Sequence, residues 1–386
     1  MGWDRKLFAL ANAPKPPVLA RWFWAAVVAV LVCALLFVLH ASERVSLLQA
    51  LDAWVLSGVP LMVWLLAFGA RAHAYGRTLS HHQFLEERVQ EAQQSWQGWA
   101  HRSMAVSASC VLLPDQVSAS VLTQGPSGLP SRTGQARRIA ALPVGTERAQ
   151  AGLQMLIHAV ASAIKTLPSG QELRVTLLSD VDPGHYDGLR EVLRQAWSTA
   201  ISRTPPATIC LADELSYSWI DEILTTASAA IELVLVLQVH GQEAYSDGLA
   251  ALLLCPDSLA LAKKLPISAS LLRPMPLNID ALDSELPLFM QTQKNACQAA
   301  GVLADRSAWQ PLIGELLAVA GAHGASLNAT QQWIQEGSSG LPGPFGHWLV
   351  AALGVEVARH QRQPLLVLAR EKSKHWVSTV TTGELA

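Results

Sequence analysis

The sequence predicts an α/β protein held at a membrane by a hairpin of two N-terminal helices. Three observations carry this reading. Two uncharged runs of 18 residues each lie within the first 70 positions. Beyond residue 139, short apolar runs alternate with amphipathic ones in a strand–helix–strand rhythm. Charged residues make up 15% of the 386, well below the usual quarter, as expected of a membrane portion joined to a heavily buried interior. Lys and Arg total 28 against 30 Asp and Glu, so no basic surplus exists to neutralise phosphates, and nucleic acid is not an expected partner.

The first run, Trp22 to Leu39, spans about 27 Å as a helix, close to the thickness of a bilayer's hydrocarbon core. Ala53 to Ala70 is the second. Trp22, Trp24, Trp54 and Trp64 would set amphipathic rings at headgroup level. Gly58 and Pro60 are tolerated in membrane helices. A cleaved signal peptide is the competing reading of the first run, but no small-x-small site follows Leu39, where His40, Glu43 and Arg44 stand instead. Arg5, Lys6, Lys15 and Arg21 precede the first run, and Arg71 and Arg77 follow the second. The connecting loop offers only Arg44, against Glu43 and Asp52. The positive-inside rule then places both termini in the cytoplasm of a two-pass protein, with the lipid bilayer as partner through 22–39 and 53–70.

The remainder divides into a helical stalk, strand and flexible loop over 72–138 and a cytoplasmic α/β domain over 139–386, after a tail and hairpin over 1–71. Ala72 to Arg102 has helical rhythm, Met104 to Leu113 reads as a strand, and Ser118 to Thr133, rich in turn residues, as a loop. Glu147 to Leu167 is an amphipathic helix entered through Thr146. Strands follow at Leu173–Leu178, Thr208–Leu211, Ile231–Val239, Leu249–Cys255 and Ile267–Leu272, with helices between them at Tyr186–Ile201, Leu215–Thr226 and Ser258–Lys264. Runs such as IELVLVLQV, apolar on both faces, indicate a sheet covered on both sides. The last third carries helices at Leu286–Ala300, Trp309–Ala322 and Phe345–Gln361. A closing hairpin pairs Leu365–Ala369 with Trp376–Thr381.

The P-x-G-T turn before the first helix, SDGLAALLLC from Ser246 to Cys255, and GLPGPFGHWLVAALGVEVARHQRQPLLVLAR from Gly340 to Arg370 together resemble the thiolase-like fold of the condensing enzymes. The resemblance covers Ile139 to Thr382 and implies a layered α/β domain. It also implies a nucleophilic cysteine at a helix N-terminus, where the dipole lowers its pKa. Cys210, at a strand end ahead of Asp213, comes nearest, although Asp213 and Glu214 oppose thiolate formation. His323, His347 and His375 are the histidines of the second half.

Other residues bear on chemistry. Asp180, Asp182 and His185 follow a strand, where α/β proteins bind ligands, but Asp182-Pro-Gly is also ordinary turn chemistry. His82 and Glu86 share a helical face without completing HExxH. GLPGPFG from Gly340 to Gly346 lacks the Lys-Ser/Thr of a P-loop, and its prolines remove donors, so it reads as a rigid approach to a helix. Cys33, Cys110, Cys210, Cys255 and Cys297 show no CxxC and no Cys/His cluster. Neither a metal nor a cofactor is expected, and the thiols read as buried and free, in a reducing compartment. No catalytic set stands out; Cys210, Asp180, Asp182 and His185 remain the candidates.

The overall plan, with QSWQGWAHRSMAVSASCVLLP from Gln94 to Pro114, resembles Gram-negative inner-membrane proteins encoded beside type VI secretion phospholipase effectors. That resemblance implies a non-enzymatic, membrane-anchored adaptor or scaffold whose partner is a protein such as a secreted effector. Thirteen tryptophans against four tyrosines offer interface anchors. The thiolase-like resemblance implies the alternative, a membrane-tethered acyl-thioester enzyme of condensing type.

Overall fold

A computed structural model describes residues 3, 12–42, 52–124, 130–145, 147–206 and 208–383. Arg5, Lys6, Glu43, Arg44, residues 125–129 and Thr146, which the sequence reads as a helix entry, lie outside the described residues.

The chain forms two compact units, one of Arg5–Ser95 and one of Met1–Asp4 with Trp96–Ala386. In the first, α1 (Leu19–Ala41) and the start of α2 (Ala53–His101) are both long and apolar enough to cross a membrane, and the protein buries none of their most apolar stretches. They run antiparallel. Trp22, early in α1, meets Phe68 at 5.4 Å and receives a hydrogen bond on its carbonyl from Trp64 Nε1, while Phe37 meets Trp54 at 6.0 Å. Pro60 lies inside α2 without ending it, and the polar stretch after residue 71 continues the same helix.

The body is built on one sheet. Its strands are β1 (Ser103–Leu112), β2 (Leu173–Ser179), β3 (Ile209–Ala212), β4 (Ile231–Gln238), β5 (Gly248–Pro256), β6 (Ala269–Leu272), β7 (Met275–Leu277), β8 (Gly301–Ala304), β9 (Gln332–Ile334), β10 (Leu365–Glu371) and β11 (Lys374–Thr382). The order is β3-β2-β4-β5-β1-β6-β11-β10-β8-β9, with β7 against β11. Read outward from the β1–β6 pair, this is one arrangement used twice. β2 is parallel to β3 and β4, and β5 is antiparallel to β4 and β1. Likewise β8 is parallel to β9 and β10, and β11 is antiparallel to β10 and β6. The stretch 72–138 supplies β1, which joins the two repeats.

Helices cover both leaves. α3 (Ala119–Thr123) lies within the segment read as a loop. α4 (Glu147–Lys165) and α5 (Tyr186–Ala200) pack on Leu233, Leu235 and Leu237. α6 (Trp219–Thr226) lies on the opposite face with Val234 and Val236. α7 (Asp257–Lys263) follows β5. α8 (Leu282–Thr292) and α9 (Gln310–Ala322) pack on Val302, Leu366 and Leu368. After the single turn α10 (Gln335–Ser339), α11 (Gly346–Gln361) is buried along almost its whole length between the leaves, against Leu252 of one and Val367 of the other. The result is helix, sheet, helix, sheet, helix, a layered α/β domain. β4 and β5 are buried throughout, as strands covered on both faces must be. The helix expected over Leu286–Ala300 instead begins at Leu282 and ends at Thr292, and a 3₁₀ segment follows at Lys294–Gln298.

A candidate functional site where the two repeats meet

Each leaf ends near its partner's buried helix, and the contact is made by polar side chains that close apolar strands. Glu371, last in β10, reaches the start of α6. Its Oε2 accepts from Tyr217 N at 3.1 Å, Ser216 Oγ at 3.1 Å and Trp376 Nε1 at 3.0 Å. Gln238, last in β4, reaches the start of α11, where its Oε1 accepts from Phe345 N at 3.2 Å and its Nε2 donates to Ser246 O at 2.7 Å. The backbone leading into each of the two central helices, Tyr217 two residues ahead of α6 and Phe345 at the N-cap of α11, is thus held by the opposite repeat. A Cβ at Gly343 would lie 2.5 Å from the Gln238 amide, so a larger residue there would have to displace that side chain.

Aromatic packing fills the space between the helix starts. Tyr217 is wholly buried, its ring 6.0 Å from His347, 5.6 Å from Trp348 and 6.0 Å from Trp376, and its hydroxyl bonds to Ser378 Oγ at 3.1 Å. Burial pushes the Tyr217 phenol well above its ordinary range. Leu215 O accepts from both His347 Nε2 and Trp348 Nε1, each at 2.9 Å. A carbonyl only accepts, so Nε2 carries the hydrogen, and burial lowers the imidazole's pKa and keeps it neutral. Nδ1 is buried without a partner.

Beside this cluster lies a cavity of about 240 Å³, lined by Asp213, Glu214, Arg306, His347, Arg370 and Lys372 among others. It opens at the carboxyl ends of β3, β8 and β10, where α/β proteins bind ligands. Lys372 pairs with Glu214. Asp305, fully buried next to Arg306, accepts from Trp309 Nε1 at 2.8 Å and Arg370 N at 3.0 Å, and burial raises its carboxyl to about 6.

Cys210 is elsewhere. It is exposed on the edge strand β3, a correction to the expectation of a buried thiol, and lines a different cleft with Arg174, Trp219 and Glu232. Side chains alternate along this four-residue edge strand: Ile209 and Leu211 pack with α4 and α5, and Cys210 falls on the other phase, where Trp219 and Ile223 leave it uncovered. Thiol and imidazole are not brought together. Cys255 is buried, and its thiol is pushed up to about 12.

Asp180 accepts from Val239 N at 3.0 Å, His240 N at 2.7 Å and Tyr245 Oη at 3.2 Å, bracing the end of β4. Asp182 accepts from Gly184 N at 2.8 Å within the turn, and His185 is exposed at the turn's end. His323 caps α9 through Val319 O, and His375 stacks edge-on against Trp309. Among the described residues no group of three or more His, Cys, Asp or Glu gathers as a metal site. Glu371, Gln238, Arg306 and Tyr217 belong to no motif that the sequence displays. Their one local signal is a polar residue closing an otherwise apolar strand, in IELVLVLQ and LLVLARE.

No protein-family model and no curated protein matches the sequence. Among solved structures, the chain is similar to an oxazolomycin ketosynthase domain from Streptomyces albus at 12% identity and TM-score 0.49, covering 74% of this chain and 97% of that one. It is similar to a histidine-to-asparagine variant of OleA from Xanthomonas campestris with cerulenin, at 10% identity and TM-score 0.42, covering 73% and 98%. It is also similar to 3-oxoacyl-[acyl-carrier-protein] synthase III from Aquifex aeolicus at 9% identity and TM-score 0.40, covering 72% and 99%.

Proposed function

We propose that this chain is a non-enzymatic scaffold of thiolase-like build, anchored in a bacterial inner membrane by its helix pair with both termini in the cytoplasm, and that it recruits a protein partner. The observation that carries the reading is the occupancy of the α6 start. A condensing-type nucleophile needs an open helix N-terminus for its thiolate, and the turn that leads into α6 is instead approached by the Glu371 carboxylate, which accepts the Tyr217 N–H. Cys210, the candidate nucleophile, lies in another cleft from His347. The resemblance of Gln94 to Pro114 to proteins encoded beside type VI secretion effectors makes a secreted effector the expected partner.

The test uses the full-length protein in detergent. The scaffold reading expects no turnover of acyl-carrier or coenzyme A thioesters, and co-purification of one secreted effector. Thioester turnover abolished by Cys210→Ala would replace it with the membrane-tethered condensing-type enzyme. Reporter fusions at residue 386 and near Ser46 test the orientation, with a cytoplasmic reporter active at the first and a periplasmic one at the second.

A further inference from the structure

Among the described residues of the N-terminal tail, Trp3 is buried in the body. Trp3 is 9% exposed and belongs to the apolar cluster of Leu282, Leu286, Phe289 and Met290. Its ring stands edge-on to Trp99 at 5.2 Å and lies 5.7 Å from Phe289. Trp96 flanks Trp99 at 5.0 Å. The wall behind Trp99 is firmly built. Arg273, 2% exposed, holds its guanidinium 4.1 Å from the Trp99 ring centroid and donates Nε to Trp99 O at 3.1 Å. Gln293 Nε2 donates to Ala100 O at 3.1 Å and to Arg273 O at 2.7 Å. The last carbonyls of α2 are therefore capped by buried side chains, and the tail's indole lies against a fixed surface.

We propose that the body carries an aromatic slot for the chain's own N-terminal tail, with Trp3 as its anchor, and that this slot makes the number of membrane crossings between Trp3 and Trp99 even. The reasoning is one of parity. Trp3 precedes the first apolar helix and Trp99 follows the second. Two residues packed in one cluster of a water-exposed body lie on one side of a bilayer. Two crossings satisfy this, and the antiparallel contacts of Trp22 with Phe68 and Phe37 with Trp54 fit a closed hairpin. A single crossing does not, and a cleaved leader would carry Trp3 away from the site it fills. The inference holds whether the body is a scaffold or an enzyme.

The experiment places a photo-crosslinking residue in the full-length protein in its native membrane, as Trp3→p-benzoylphenylalanine. The expected product is an intramolecular crosslink to a peptide containing Trp99 or Phe289. In a second measurement, Trp3→Ala should speed hydrogen exchange of the amides over 97–101 and 286–290 by about tenfold, whereas Trp24→Ala within α1 leaves them unchanged. Crosslinks only to lipid, crosslinks between two chains, or unchanged exchange in Trp3→Ala would each overturn the proposal.

Discussion

In the first repeat β2 is followed by Asp180, which braces Val239 N; in the second β8 is followed by Asp305, which braces Arg370 N. By register the two carboxylates occupy the same place, since Ser179 pairs with Leu237 and Ala304 with Leu368. Their surroundings have diverged. Asp180 faces a half-exposed histidine and a tyrosine hydroxyl, while Asp305 is sealed beneath Trp309 and Arg306. The central helices differ in the same sense: α6 has eight residues, three of them buried, against sixteen and twelve in α11. One strand order can therefore be kept while stability is concentrated in one copy, because a buried helix needs its own length to fill the space between leaves.

The strongest way to break this comparison is to empty the two helices in turn. Trp348→Ala should destabilise by about 3–5 kcal/mol, as removal of a fully buried large side chain does, and Trp219→Ala, half-buried, by about 1–2 kcal/mol. Denaturant unfolding of the full chain in detergent measures both, and equal losses would refute the asymmetry.

The carboxylates offer a sharper test. A carboxyl raised from 3.8 to about 6 binds its proton more tightly in the folded state. Its contribution to stability is whole below pH 3.8 and is lost as pH rises through 6, a change on the order of 3 kcal/mol. Asp305→Asn should remove it. The stability of wild type relative to Asp305→Asn should then fall between about pH 4 and 6, and a difference that stays flat with pH would contradict the burial argument.

Glu371 and Gln238 come next. Glu371→Ala strands three donors and should cost about 2–3 kcal/mol, and Gln238→Ala about 1–2 kcal/mol. If the repeats stabilise one another through these contacts, the two losses should couple in the double variant. Strict additivity would mean that each acts within its own half.

The smallest expected effect separates the thiols. Cys210→Ser, exposed, should stay within about 0.5 kcal/mol of wild type, and Cys255→Ser, buried, should cost about 1–3 kcal/mol. In thiol labelling, Cys210 should react in the folded protein and Cys255 only after unfolding.

Local patterns in the sequence are the ones that carry through to the fold. Ile231–Gln238 is apolar on both faces, and a covered strand is what such a run forms. The closing hairpin Leu365–Glu371 with Lys374–Thr382 and the two membrane-length helices carry their signals within a few residues of each other. What escapes is relational. The Tyr217–Glu371 bond joins residues 154 apart and the Phe345–Gln238 bond residues 107 apart, and neither leaves a local pattern. Cys210 stands on the expected strand but exposed instead of buried, because an apolar four-residue run does not reveal which side a neighbour will cover. Trp3 gives no periodic signal at all, standing alone ahead of the first helix.

The contact between Glu371 and the start of α6 also sets a clock on synthesis. Tyr217 leaves the ribosome 154 residues before the carboxylate that receives its N–H. At ~5–20 residues per second that is a wait of roughly 8–30 s. Within that interval the first repeat completes its strands, while the Tyr217 N–H lacks its acceptor and the face meant for α11 is bare. By then both membrane-length helices have been made, and the nascent body waits as a half-closed sheet. A chaperone that shields this face would have to let go only after the hairpin of β10 and β11 appears.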